Sequence, residues 1–227
     1  MKQIIITFLI TFIFFTVYSQ TVETYKYSGS GSAAVLEKYK TKTIETKGVY
    51  FYNEEWQYAD IIMFSGDKLE NFPVRYNLGK NILEIKSDDI VKVISIGQIK
   101  EIHFHDKHKN ETLKNTVLYK NNEGVGFFTV LSEGDKVLLK KTYLEVIEPN
   151  YVNALDVGEQ ERKIVQRAKY YTANKDNEVT QIKKNKRYVL KLLNDKAEDI
   201  KKYISQNKLS VKNENDLIKI FNYYNII

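Results

Sequence analysis

Every histidine of the chain lies within six residues, His103-Phe104-His105-Asp106-Lys107-His108. On a strand running through His105, alternation turns His103 and His105 to the same face, roughly 6.5–7 Å apart along the chain. Two such imidazoles can share a metal ion, with Asp106 or His108 completing the set after the turn. His103, His105 and His108 are therefore the candidate metal ligands. Their spacing matches no established zinc signature. A polar strand end beside Lys107 and Lys109 accounts for the same residues.

A second constellation is aromatic. Tyr50-Phe51-Tyr52 and Trp56-Gln57-Tyr58 flank Asn53-Glu54-Glu55. Flat rings stack on sugar faces while carboxylates accept hydroxyl bonds, so Tyr50, Tyr52, Trp56 and Tyr58 form a candidate ligand-binding platform. Core and cross-strand packing is the alternative use of the same rings. Glu54 and Glu55 make a poor glycosidase pair, because neighbouring strand residues point to opposite faces and cannot readily flank one bond.

The densest basic run is Lys183-Lys184-Asn185-Lys186-Arg187. Lys183, Lys184, Lys186 and Arg187 could meet an anionic partner such as phosphate, lipopolysaccharide or acidic polysaccharide, or form a solvated helix start. Positive charge at a helix N-terminus opposes the macrodipole, which is a small reason to look for an anion there. G-x-S-x-G, Walker A, G-x-G-x-x-G and H-E-x-x-H are all missing. Gly124-Val125-Gly126 lacks the third glycine and the following helix of a dinucleotide loop. Asn110-Glu111-Thr112 matches a glycosylation sequon, and Asp88-Asp89 reads as a turn pair. No nucleophile–base pair is identified, so no catalytic residue is nominated and no cofactor is expected.

The elements that must position these residues read mainly as strands. Gly48–Tyr52, Tyr58–Phe64, Leu69–Tyr76, Ile82–Lys86, Ile90–Ile96, Ile99–His105, Thr116–Tyr119, Val125–Leu131 and Lys136–Ile147 are β-rich, with turn signals such as Ser65-Gly66-Asp67, Leu78-Gly79-Lys80-Asn81 and Ser132-Glu133-Gly134-Asp135 between them. Pro73 demotes Leu69–Tyr76 to an edge or bulged strand. Glu148-Pro149-Asn150 is the best internal boundary. Ile164–Ala173 and Glu178–Lys183 then read as a hairpin around Asn174-Lys175-Asp176-Asn177.

The end of the chain reads as three short helices. Tyr188, Val189, Leu192 and Leu193 make one apolar face; Ala197, Ile200 and Ile204 a second; Leu217, Ile218, Phe221 and Tyr224 a third. Asn194-Asp195 with Glu198 suggests a capping box, and Asn213 an N-cap. Helices this short need tertiary packing to persist. The expected fold is α+β: an antiparallel β meander, closed as a barrel or folded as a sandwich, then a hairpin and three helices. The expected divisions are a signal peptide over 1–19, a β body over 20–149 and a hairpin plus basic helical tail over 150–227, packed on the body.

Two stretches, Phe51-Tyr52-Asn53-Glu54-Glu55-Trp56 and Lys68-Leu69-Glu70-Asn71-Phe72-Pro73-Val74-Arg75-Tyr76, resemble exported proteins of Gram-negative bacteria whose role is uncharacterised. The ending Asp216-Leu217-Ile218-Lys219-Ile220-Phe221-Asn222-Tyr223-Tyr224-Asn225 is similar to endings in the same group. The resemblance implies export and a β-rich body with a helical end, and it carries no catalytic residues.

The N-terminus reads as an address. Lys2 is the only charge before Glu23, and Ile4–Tyr18 is an apolar run broken only by threonines. Val17 and Ser19 fit the −3 and −1 positions before a cut at Ser19/Gln20, as in a secretory signal peptide. The 227 residues contain 35 Lys/Arg against 29 Asp/Glu, a formal +6, with no cysteine and 43% hydrophobic residues. That balance excludes wholesale disorder, disulfides and thiolate metal sites. The excess charge is local: 20–181 carries 23 basic against 24 acidic residues, and 182–227 carries 11 against 5.

Together these features lead to an expected non-enzymatic binding or structural component of the bacterial cell envelope, in the periplasm, at the cell surface or secreted. The expected partners are envelope polysaccharide or another envelope protein, with no nucleic acid and no transmembrane span in the mature chain. Two alternatives stand beside it. One is an envelope polysaccharide hydrolase, metal-assisted through His103 and His105. The other is an adaptor whose basic tail docks on an acidic partner.

Overall fold

The computed structural model describes residues 46–87, 90–105, 110–151, 157–158 and 160–227. The leader, Asp88-Asp89, Asp106 and His108 of the sequence reading lie outside the described residues. What is described is mostly antiparallel β-sheet with three helices, an α+β arrangement.

The strands are β1 (Thr46–Gly48), β2 (Gln57–Met63), β3 (Lys68–Asn77), β4 (Ile82–Ser87), β5 (Ile90–Ser95), β6 (Ile99–Phe104), β7 (Glu111–Asn115), β8 (Phe127–Ser132), β9 (Val137–Ile147), β10 (Arg162–Ala173) and β11 (Val179–Gln181). They join one sheet in the order β1-β10-β9-β8-β7-β6-β2-β3-β4-β5, with β11 on β10. Apart from the parallel β1–β10 pair, every ladder is antiparallel. Glu148-Pro149-Asn150 lies between β9 and β10, which pair with each other from Lys163↔Ile147 to Ala173↔Val137.

Alternation decides which side each residue takes. Ala59, Ile61, Val74, Tyr76, Leu83, Ile85, Ile102, Phe104 and Leu113 are buried in one cluster. Their neighbours Asp60, Arg75, Glu84, His103 and Thr112 therefore fall on the other face. Pro73 sits in a strand with neighbours on both sides, β2 and β4, rather than at an edge of the sheet. The missing N–H is tolerated because the β3–β4 ladder stops at Val74, leaving Pro73 beside β2 alone. A bulge follows between Ala59 and Ile61, where Asn71 takes φ 55°.

Thr116–Tyr119, expected as a strand, forms a 3-10 turn at Thr116–Leu118 instead, and the strand lies just before it as β7. The cause is Asn115, which is fully buried. Its carboxamide donates to the Ile96 and Ile99 carbonyls at 2.9 and 2.7 Å and accepts from the Val117 N–H at 3.1 Å. A side chain capping the turn in this way outweighs the β preference of Thr-Val-Leu.

The helices are α1 (Lys186–Leu192), α2 (Ala197–Gln206) and α3 (Glu214–Ile226). Their apolar sides form a second cluster with Leu138 and Tyr170 of the sheet, so 182–227 packs on β9 and β10. Asn185 and Asn213 accept from the N–H groups of Tyr188 and Asp216 as N-caps. The capping box expected at Asp195 does not form. α2 starts at Ala197 without a side-chain cap, and Asp195 instead accepts from the Tyr224 hydroxyl at 2.9 and 3.1 Å. No helix among the described residues is long and apolar enough to cross a membrane.

Candidate functional site

His103 and His105 leave β6 on the face opposite Ile102 and Phe104, as alternation requires. β2 lies alongside with Asp60 opposite His103, and β7 on the other side with Thr112 opposite His103. His105 Nε2 is 3.1 Å from Asp60 Oδ1. Asp60 also accepts from the Asn71 N–H at 2.8 Å, and Lys68 Nζ stands 3.6 Å from its other oxygen. The hydrogen bond from His105, then that from Asn71, holds the Asp60 carboxyl below its ordinary range.

His103 is engaged through both ring nitrogens. Nε2 is 3.1 Å from Glu101 Oε2, and Nδ1 is 3.4 Å from Thr112 Oγ1. A carboxylate at Nε2 favours the proton there, which leaves Nδ1 to accept from the threonine hydroxyl. These residues border a surface cavity of about 420 Å³ lined by Asp60, Lys68, His103, His105 and Thr112 among others. Each of these two histidines thus has a carboxylate of its own. Among the described residues no group of three or more His, Asp or Glu side chains stands arranged for a metal.

The four aromatics of the expected platform separate. Tyr50 and Tyr58 are exposed, whereas Tyr52 turns inward and stacks on Phe104 with centroids 6.2 Å apart. Trp56 and Phe51 instead hold Arg75, whose guanidinium carbon lies 4.7 and 3.8 Å from the two ring centroids. The same guanidinium donates to Glu84 Oε2 from Nε and Nη2, at 3.2 and 2.8 Å. Delocalised charge over two aromatic rings with a carboxylate on its N–H groups is a self-sufficient contact.

Of the basic run, Lys184 lies over the Tyr170 ring at 4.1 Å and donates to the Lys212 carbonyl. Lys183 lies 5.7 Å from the Tyr188 ring centroid. Lys186 and Arg187 open α1 and are exposed. A groove of about 750 Å³ beside α1 is lined by Lys183, Arg187 and Lys191 with Tyr188 and Leu190.

Sequence reasoning missed a polar arrangement on the core side of the sheet. The Tyr52 hydroxyl meets Glu111 Oε2 at 2.8 Å and Thr129 Oγ1 at 2.9 Å. Thr129 is registered on Lys140, and Lys140 on Tyr170. Glu214 of α3 accepts from Lys140 at 3.2 Å and from the Tyr170 hydroxyl at 2.5 Å. Burial, with the Glu111 carboxylate second, pushes the Tyr52 pKa far above its ordinary value. Burial and the Glu214 hydrogen bond do the same for Tyr170. Both phenols are therefore neutral donors. The partners stand 44 to 77 residues apart in the chain, so no local pattern announces them.

Comparison with protein-family models, with curated proteins and with solved structures finds no match to this chain.

Proposed function

We propose that this protein is an exported, non-enzymatic binding or structural component of a bacterial cell envelope. The observation that supports it best is that the side chains with chemical potential are committed to one another. Arg75 lies over two rings and holds Glu84, His105 holds Asp60, and Lys140 and Tyr170 hold Glu214. Such pairs rigidify a scaffold and fix the seating of its helices. We read the meander as a barrel rather than a sandwich. In support, segment 49–52 bonds to two distant strands: Val49 N–H to Ile164 O of β10, and Leu78 N–H to Tyr50 O and Tyr52 N–H to Tyr76 O beside β3. We read β10 and β11 as the hairpin that delivers the helices to the body. Export rests on the apolar run Ile4–Tyr18 and the Val17/Ser19 pattern. Cell fractionation with sequencing of the N-terminus tests it.

A second reading, hydrolysis of an ester-bearing envelope polysaccharide, draws on the connectivity Glu101–His103–Thr112 beside the 420 Å³ cavity. A carboxylate-oriented imidazole against a hydroxyl is the arrangement that activates a nucleophile. Turnover of an aryl acetate that disappears in Thr112→Val would favour this reading; turnover unchanged by that substitution would dismiss it.

A further inference from the structure

A cavity of about 570 Å³ opens beside β11, and none of the histidines, the four platform aromatics or the basic run is in its lining. Its walls come from segment 120–123, from Tyr171 on β10 and from Val179 and Gln181 on β11. Segment 120–123 is held at both ends. The Lys120 N–H donates to Asn177 O at 2.8 Å and its carbonyl accepts from Val179 N–H at 3.2 Å. The Asn121 carboxamide donates to the Thr116 and Tyr119 carbonyls and accepts from the Glu123 N–H. The cavity is therefore built by fixed backbone, and its volume falls within the range of small-ligand sites, roughly 300–1,000 Å³.

Tyr171, at 2% exposure, is the buried part of the wall, and the Phe128 ring packs against it at 5.3 Å. Its hydroxyl is buried and makes no hydrogen bond among the described residues. Burial, with the neighbouring Glu123 carboxylate second, raises its pKa. Native folds seldom leave a buried hydroxyl unmatched, and where they do the partner is commonly water or a ligand.

The surrounding charges are already balanced. Lys120 Nζ lies 3.9 Å from Glu178, and Lys141 Nζ lies 4.0 Å from Glu123 while donating to the Glu123 carbonyl. What remains open is neutral: the amides of Asn122 and Gln181, whose side chains have no partner among the described residues, and the Tyr171 hydroxyl. Amides and a phenol donate and accept alike, so they select hydroxyl groups rather than an ion. Val179 and the Tyr171 ring add the apolar surface on which sugar C–H groups pack.

We propose that this cavity binds a neutral sugar unit, with Asn122, Gln181 and the Tyr171 hydroxyl as its polar contacts. The proposal rests on the reading of the protein as a binding component and names the ligand class. Saturation-transfer NMR and calorimetric titration of the full-length protein would use the β-1,4-linked trimers of glucose and N-acetylglucosamine, with a glucuronic acid trimer as the charged control. A neutral trimer should bind. The Asn122→Ala/Gln181→Ala variant should weaken it by about tenfold or more, the loss expected for two hydrogen bonds. Tyr171→Phe should weaken binding several-fold with an unchanged or raised melting temperature, because it deletes an unsatisfied buried hydroxyl. Binding of neither neutral trimer, tighter binding of the charged trimer, or affinity indifferent to the double substitution would overturn the proposal. A protein that binds no sugar yet fractionates with the envelope loses only this inference. One that binds sugar but stays in the cytoplasm with its leader intact contradicts export alone.

Discussion

The Tyr52 hydroxyl donates to Glu111 across 2.8 Å, joining the segment before β2 to β7 over 59 residues of sequence. Tyr52→Phe leaves the half-buried carboxylate without this donor and strands Thr129. Chemical denaturation should show a loss of about 1–2 kcal/mol. Glu111→Gln keeps an acceptor there and should cost less. Equal stability of Tyr52→Phe and the native protein would mean that the contact does not order this segment.

Arg75 links β3 to β4 through Glu84 and to the segment before β2 through Phe51 and Trp56. Arg75→Ala leaves Glu84, whose side chain is 16% exposed, without its cation. The expected cost is about 2 kcal/mol. Trp56 is the only tryptophan, so its emission should shift to the red in the same variant. Arg75→Lys keeps the charge, loses the planar fork and should fall between the two.

The α3 terminus is tied to the β8–β9 turn. Asn225 accepts from the Lys136 N–H at 3.1 Å and donates to the Glu133 and Lys136 carbonyls at 2.9 and 3.0 Å. Gly134 takes φ +137° beneath it, where a Cβ would overlap the Asn225 side chain. Gly134→Ala should therefore cost about 2–3 kcal/mol and Asn225→Ala about 1–2 kcal/mol. Hydrogen exchange should show α3 opening before the sheet in both variants.

Alkaline pH should unfold the protein cooperatively. Burial pushes the Tyr52, Tyr76, Tyr170 and Tyr171 phenols far above the ordinary value of about 10. It pushes Tyr119 and Tyr224 up to about 12. A folded pKa above the unfolded one means the folded state keeps its protons longer. That stability is fully present below pH ~10 and is lost as pH rises through the folded values. Tyrosinate absorbance of the buried phenols should rise only together with loss of circular dichroism. A single smooth titration with intact secondary structure would contradict the burial described.

These contacts show what was legible in the sequence. Alternation in Ile82–Lys86 and the Asn213 cap were local patterns, and local rules govern them. The 3-10 turn at Thr116–Leu118 was hidden, because Asn115 acts through the carbonyls of Ile96 and Ile99, far back in the chain. The capping box at Asp195 failed for a similar reason: the Tyr224 hydroxyl competes for the same carboxylate. The aromatic cluster was visible as composition but not as use. Its rings are divided by Arg75 and by the core, and both divisions depend on register between strands.

The most direct test of the proposed role is to produce the full-length chain with a C-terminal tag in a Gram-negative host, fractionate the cells and sequence the N-terminus by mass spectrometry. The expected result is a chain beginning at Gln20 in the periplasmic, envelope or secreted fraction. A chain that retains Met1 and stays in the cytoplasm would contradict it.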